Sequence, residues 1–175
     1  MNMTIWAICL TCIILILTES NAQESATREE LNNRMLIWHN EVRTKLLLCQ
    51  LPGQPQAKIM PNLTYDPELA DKAQNWANNC TSGHDKNEDR KTSNYSYVGQ
   101  NFAGSYYFQQ GFNLWANEHT FYNYDGNSCQ SGKMCGHYTQ VVWANTKYLG
   151  CAYQNCTGNP NFPWGNSIIC NYGEG

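Results

Sequence analysis

Seven cysteines beyond residue 22 narrow the folds open to this chain more than any other feature: Cys49, Cys80, Cys129, Cys135, Cys151, Cys156 and Cys170. Such a density matches a disulfide framework built in an oxidising compartment. The count is odd, so at least one thiol has no partner within the chain. Cys49 stands apart from the rest, after an apolar helical stretch. It is expected to remain free, as a small buried hydrophobe on the first helix rather than a reactive thiol. No Cys-x-x-Cys pair occurs beyond residue 22, so a zinc-ribbon reading has no support.

The N-terminal residues agree with that compartment. Residues 3–17 read MTIWAICLTCIILIL, an uncharged apolar run, followed by Thr18-Glu19-Ser20-Asn21-Ala22. A bilayer span takes roughly 20 residues, so the run is short for one. Small residues at Ser20 and Ala22 suit cleavage after Ala22. Residues 1–22 are therefore expected to be a signal peptide, and 23–175 a single secreted domain without stable membrane insertion. An uncleaved anchor helix is the alternative. All 11 Lys and Arg lie beyond residue 22, with all but Glu19 of the 14 Asp and Glu, so the mature chain is slightly acidic. That excess holds no phosphate backbone, and nucleic acid is not an expected partner. Beyond residue 22, Asn-x-Ser/Thr sequons stand at Asn62, Asn79, Asn94 and Asn155. Asn79 and Asn155 directly precede cysteines, so Asn62 and Asn94 are the expected glycan sites.

Thr27-Arg28-Glu29-Glu30 has the form of a capping box. Leu31, Met35, Trp38, Val42 and Leu46 then recur at helical spacing, predicting a helix from about 28 to 48. Asp66-Pro67 opens a second helix that buries Leu69, Ala70, Ala73, Trp76 and Ala77. A third covers about 107–120 and carries Phe112, Trp115 and Glu118, the first two read as core. Residues 81–98 and 121–136 read as loops. Asn101-Phe102-Ala103 is a short extended piece, and residues 139–144 suit helix or strand equally. Residues 149–154 and 167–172 alternate as two antiparallel strands. Helices flanking a small antiparallel sheet make an α+β fold.

Four stretches carry a resemblance to a known family, and they occur in its order. His39-Asn40-Glu41-Val42-Arg43 resembles the first-helix motif HNxxR. Gly99-Gln100-Asn101-Phe102 resembles a Gly-Glu/Gln-Asn-hydrophobic motif. Gly136 through Thr146, GHYTQVVWANT, matches the main signature, and Ile168-Ile169-Cys170-Asn171-Tyr172 resembles the last motif. The chain is thereby identified as similar to the CAP superfamily of cysteine-rich secretory, antigen five and pathogenesis-related proteins. It looks most like the venom allergen-like proteins of parasitic worms. The resemblance implies a three-layer α–β–α sandwich with a small central antiparallel sheet. The six-cysteine spacing resembles the plant pathogenesis-related pattern, which implies the pairs Cys80–Cys156, Cys129–Cys135 and Cys151–Cys170. The Cys-rich ion-channel module of some relatives has no counterpart in these residues, so channel blocking is not expected.

The same resemblance implies a polar cleft. His84, His137 and Glu118 match positions that hold a divalent metal in some members, so weak Zn2+ binding is expected, with Glu118 behind the histidines. No cofactor is required. Each histidine read alone is more often a hydrogen-bonded structural residue. Gln100 stands in this cleft where the family commonly has a carboxylate. An amide cannot act as a general base, and no Gly-x-Ser-x-Gly elbow is present, so no catalytic residue is assigned. Phe121, Tyr122 and Tyr124 lead into a polar loop, where aromatic rings suit a sterol face. The aromatic spacing of the family's sterol motif is not completed there. The expected function is secreted lipid binding: a sterol at this loop and a fatty acid in a channel between two helices. The rivals are a metal-dependent hydrolase and a secreted ligand of a host protein.

Overall fold

A computed structural model describes residues 27–175. The expected signal peptide and its cleavage point lie outside the described residues. The first helix, α1 (Arg28–Leu47), starts where the capping box predicts. Glu30 N–H donates to Thr27 Oγ1 at 3.2 Å, and Thr27 N–H donates to Glu30 Oε2 at 2.7 Å. Met35, Val42 and Leu46 are buried along its inner face, whereas Leu31 and Trp38 are half-buried against the same core. Cys49 departs from expectation. The helix ends at Leu47, and Cys49 takes a left-handed backbone with φ 58° in the turn that follows. That turn swings the thiol out, so the free cysteine is exposed rather than buried.

β1 (Thr64–Tyr65) leads into α2 (Pro67–Ala77), whose N-cap Asp66 accepts from the N–H groups of Glu68 and Leu69. Leu69, Ala70, Ala73 and Ala77 are buried as predicted, but Trp76 is half-buried, its indole N–H donating to Gly83 O at 2.9 Å. A short helix, α3 (Asn87–Arg90), interrupts the polar stretch before β2 (Gly99–Ser105). α4 (Phe108–Asn117) continues into a 3-10 turn, Glu118–Thr120. The expected loop at 121–136 contains a small hairpin, β3 (Tyr122–Asn123) and β4 (Ser128–Cys129). Of the ambiguous segment 139–144, residues 139–141 end the helix α5 (Gly136–Val141), and 142–144 form a turn. β5 (Tyr148–Asn155) and β6 (Asn166–Gly173) complete the chain.

The main sheet has the order β1-β5-β6-β2. Its long pairings are antiparallel, and the two-residue β1 joins β5 in parallel. Alternation along β6 divides the core. Ile168, Cys170 and Tyr172 join Met35 of α1, Phe112 and Trp115 of α4 and Tyr138 of α5. Ile169 points the other way, onto Ala73 and Ala77 of α2. The result is the α–β–α sandwich. α2 lies so close to the sheet that a Cβ on Gly150 would run into Ala70 N and sit 2.6 Å from Asp66 O. Only a glycine admits that approach.

Three bridges are formed: Cys80–Cys156 ties the end of α2 to the end of β5, Cys129–Cys135 closes the loop ahead of α5, and Cys151–Cys170 joins β5 to β6. Cys151 and Cys170 are direct register partners on adjacent strands. Side chains also engage strand edges. Asn32 of α1 donates to Cys151 O at 2.9 Å and accepts from Cys151 N–H at 2.7 Å. Gln74 of α2 donates to Tyr153 O, and the Trp115 indole donates to Phe102 O at 2.9 Å.

Candidate functional site

Glu118 organises the site. It is buried in the 3-10 turn at the end of α4. Its Oε2 accepts from the backbone N–H of His137 at 2.9 Å and of Tyr138 at 3.1 Å, while Oε1 accepts from His137 Nδ1–H at 2.6 Å. The first two bonds cap α5, whose own N-cap residue Cys135 contributes no side-chain bond. The third sets the ring. A carboxylate only accepts, so Nδ1 holds the hydrogen, and it is Nε2 that carries the free lone pair whenever the ring is neutral. Trp115 stacks on the ring with centroids 6.2 Å apart.

His84 reaches the same tautomer by another route. It is exposed, in the stretch before α3, and its Nδ1–H donates to Gln100 Oε1 at 2.9 Å. The Gln100 amide is fixed from its other end, where Nε2 donates to Asn171 Oδ1 at 2.9 Å. Arg90 Nη1 donates to the same Gln100 oxygen at 3.2 Å. Arg90 is buried and held in turn by Asp85 Oδ1 at 2.6 Å, Val98 O at 2.9 Å and Asn87 Oδ1. Gln100 therefore orients His84 as a carboxylate would, but adds no charge.

His84 and His137 line one open cleft of about 500 Å³, together with Gln100, Arg90, Tyr97 and Met134. Glu118 stands behind His137, engaged by three hydrogen bonds. Among the described residues no group of three His, Cys, Asp or Glu side chains is placed to hold a metal ion. The cleft thus offers two imidazole rings and no carboxylate ligand, fewer protein ligands than an established zinc site takes. No motif in the sequence marks Arg90 or Met134. Arg90 ends the four-residue α3, too short for a periodic pattern, and Met134 lies in a loop, so their only signal is closeness to His84 and to Cys135.

The first motif does a different job. His39 is fully buried; its Nδ1–H donates to Met35 O at 2.7 Å, and Nε2 accepts from the Tyr172 hydroxyl at 2.8 Å. Burial lowers its pKa to about 4. Arg43, also fully buried, donates to the carbonyls of Pro61, Val141, Trp143 and Thr146, and burial lowers its pKa to about 10. Its contacts with Val141 and Trp143 fall at the end of α5. The short helix that presents His137 is therefore gripped by a carboxylate at one end and a guanidinium at the other.

The three loop aromatics are not equivalent. Tyr122 is half-buried, its ring against Tyr138 at 5.9 Å and its hydroxyl on Asn127 Oδ1 at 2.8 Å. Phe121 is half-buried with Lys133 Nζ 4.8 Å from its centroid. Only Tyr124 stands clear, 63% exposed. Between α1 and α4, Trp38 meets Phe108 at 5.7 Å and Phe112 at 5.8 Å, so an acyl chain at that seam would have to part these rings. Asn62 and Asn94 are exposed, as are Asn79 and Asn155, although Asn79 Nδ2 is engaged with Asn75 O.

The CAP family of cysteine-rich secretory proteins matches this chain over residues 36–172. Human GLIPR1-like protein 1 is 35% identical over 170 residues, covering 92% of this chain and 65% of the relative, so the chain spans a little under two thirds of that protein's length. Among solved structures, venom allergen-like protein 4 of Schistosoma mansoni superposes with a TM-score of 0.74 at 30% identity, covering 82% of this chain and 87% of that one. NaASP2, solved with Zn2+, gives 0.65 at 27% identity, covering 83% of this chain and 80% of that one. No helix among the described residues is long and apolar enough to cross a membrane.

Proposed function

This chain belongs to the CAP family of cysteine-rich secretory proteins, and from that premise we propose that it is a secreted, non-catalytic domain that binds a sterol at the loop of Phe121, Tyr122 and Tyr124. The observation that carries the reading is the state of this loop. Its hairpin is pinned at the base by Cys129–Cys135, Tyr122 anchors it to the core, and Tyr124 is left 63% exposed. A pre-ordered aromatic surface binds a rigid flat ligand without first paying to order the loop. Lys133, over the Phe121 ring, and the Tyr124 hydroxyl supply polar groups for a sterol hydroxyl. The sterol site is favoured over an acyl-chain site, because the α1–α4 seam is filled by rings. Secretion is supported by the bridges, which persist in oxidising surroundings.

The cleft is read as a binding site for a metal ion, not a hydrolytic centre. Gln100 provides no base, and among the described residues no Ser, Thr or Cys side chain hydrogen-bonds to His84 or His137. NaASP2 was solved with Zn2+, which supports a metal ion on the two imidazoles here. The test is saturation binding of labelled cholesterol to the mature protein, beside esterase and protease substrates. Saturable binding is expected, with no turnover, and Tyr124→Ser should weaken it about tenfold. Turnover abolished by a chelator and by His137→Ala would establish the hydrolase instead. No sterol binding and no turnover would move the reading to a ligand of a host protein.

A further inference from the structure

A sequon becomes a glycan site only where its amide nitrogen is open to solvent, and the structure separates the two sequons that precede cysteines. Asn79 Nδ2 donates back to Asn75 O at 3.2 Å, so that nitrogen is held against the end of α2. Asn155 is arranged the other way round. Its Oδ1 accepts from Thr157 N–H at 2.9 Å, which turns Nδ2, the atom that takes the sugar, away from the backbone. Asn155 and Thr157, the two ends of the sequon, are both exposed.

Cys156 between them is the reason the sequence alone disfavours this site, and the fold removes that obstacle. Leu149, Cys151 and Tyr153 of β5 face the core shared with α1 and α4, whereas Ala152 faces α2. By the same alternation Asn155 stands on the α1 side. Cys156 turns to Cys80, just beyond α2, and is buried. The bridge and the open amide therefore leave the strand on opposite sides. The alternation also supplies a bed for a sugar. Tyr153 lies two residues before Asn155 on the same face, about 7 Å along the strand. Its ring is half-buried and seated T-shaped against Phe108 of α4, with centroids 5.7 Å apart. Across the strand Asn166, the register partner of Asn155, is fixed by its bonds to Ser105 O and Tyr106 O. A seated, partly exposed aromatic ring suits the C–H face of a hexose, which like the ring has an apolar body and a polar rim.

We propose that Asn155 is N-glycosylated and that its first sugar packs on Tyr153. The donor is a lipid-linked diphospho-oligosaccharide. Nδ2 loses a proton and bonds to the anomeric carbon of the sugar; the bond from that carbon to the diphosphate oxygen breaks, and the lipid diphosphate leaves. The acceptor is the emerging chain, before Cys156 pairs with Cys80. The proposal rests on the reading of the chain as secreted, because the donor belongs to the secretory route.

The test is secretion of the full chain from a mammalian cell line, followed by peptide mapping after glycanase digestion in heavy-oxygen water, which marks each formerly glycosylated Asn as labelled Asp. Asn155 should be labelled in most molecules. Thr157→Ser should keep the label and Thr157→Ala should lose it. Melting temperature reads the packing. Protein trimmed to the first sugar should melt about 2–4 °C above Thr157→Ala, and this gain should vanish in a Tyr153→Leu background, where each comparison is made within one background. Secreted protein unlabelled at Asn155 overturns the proposal. A gain that survives Tyr153→Leu overturns the packing on Tyr153. A chain retained in the cells and unlabelled at every sequon overturns the secreted reading beneath it.

Discussion

Glu118→Gln separates the two tasks of this carboxylate. The variant side chain has one acceptor oxygen and one NH2 group where the native residue has two acceptors. If the oxygen faced the His137 ring, the NH2 would oppose the N–H groups of His137 and Tyr138, donor against donor. The amide must therefore turn its oxygen to the helix and its NH2 to Nδ1 of His137. Nδ1 then has to accept, the ring hydrogen moves to Nε2, and the lone pair facing the cleft is lost. The stability cost follows from the same bonds. A hydrogen bond to a charged group contributes about 1.5–3 kcal/mol and a neutral one about 0.5–1.5 kcal/mol, so weakening the set should cost about 2 kcal/mol. Metal affinity should fall about 10- to 100-fold, as when an orienting partner of a ligand histidine is lost. Urea unfolding reads the first effect, and long-range proton–nitrogen NMR of the ring reads the tautomer. A His137 that keeps its hydrogen on Nδ1 in Glu118→Gln, with metal binding unchanged, would refute the reasoning.

Two further outcomes follow from the buried residues. The His39 pKa is lowered from 6.5 to about 4, so between those values the unfolded chain binds a proton that the folded one refuses. Its contribution is complete above pH 6.5 and is lost as pH falls towards 4, by roughly 3 kcal/mol; urea titrations across this window should show the slope, and His39→Gln should flatten it. Gly150→Ala should destabilise the fold by about 3 kcal/mol or more, because backbone of α2 blocks the added carbon; a melting temperature equal to that of the native protein would count against the described packing.

The layered fold was legible because its signals are local. The Thr27–Glu30 box, the Asp66-Pro67 start and the alternation along residues 167–172 each sit within a few residues of what they specify. The misses share a different cause. Residues 139–144 read as helix or strand because the group that caps α5 is Glu118, 19 residues before the His137 it holds. β1, β3 and β4 are two residues long, too short for any alternation to register. Cys49 reads as part of the helix because nothing in Leu46-Leu47-Leu48-Cys49 signals a stop. The left-handed turn there is taken without the glycine that usually marks one. In the site, His84, Gln100 and His137 line one cleft as expected, but the role of Gln100 depends on Arg90 and Asn171, which set its amide from distant segments.

The side chains that engage the sheet margins bear on how this protein behaves when concentrated. An open strand edge is a template for a second chain, and secreted sheets that stack edge to edge aggregate. Here one outer strand, β1, is only two residues long. Beyond it, Asn32 occupies both the N–H and the C=O of Cys151 much as a neighbouring strand would, and Gln74 takes the next outward carbonyl, Tyr153 O. On the opposite margin the Trp115 indole closes Phe102 O. Three residues that look like interior packing thus act as stoppers against strand addition. Asn32 is buried, so replacing it by leucine would leave the N–H and C=O of Cys151 without these partners beneath α1.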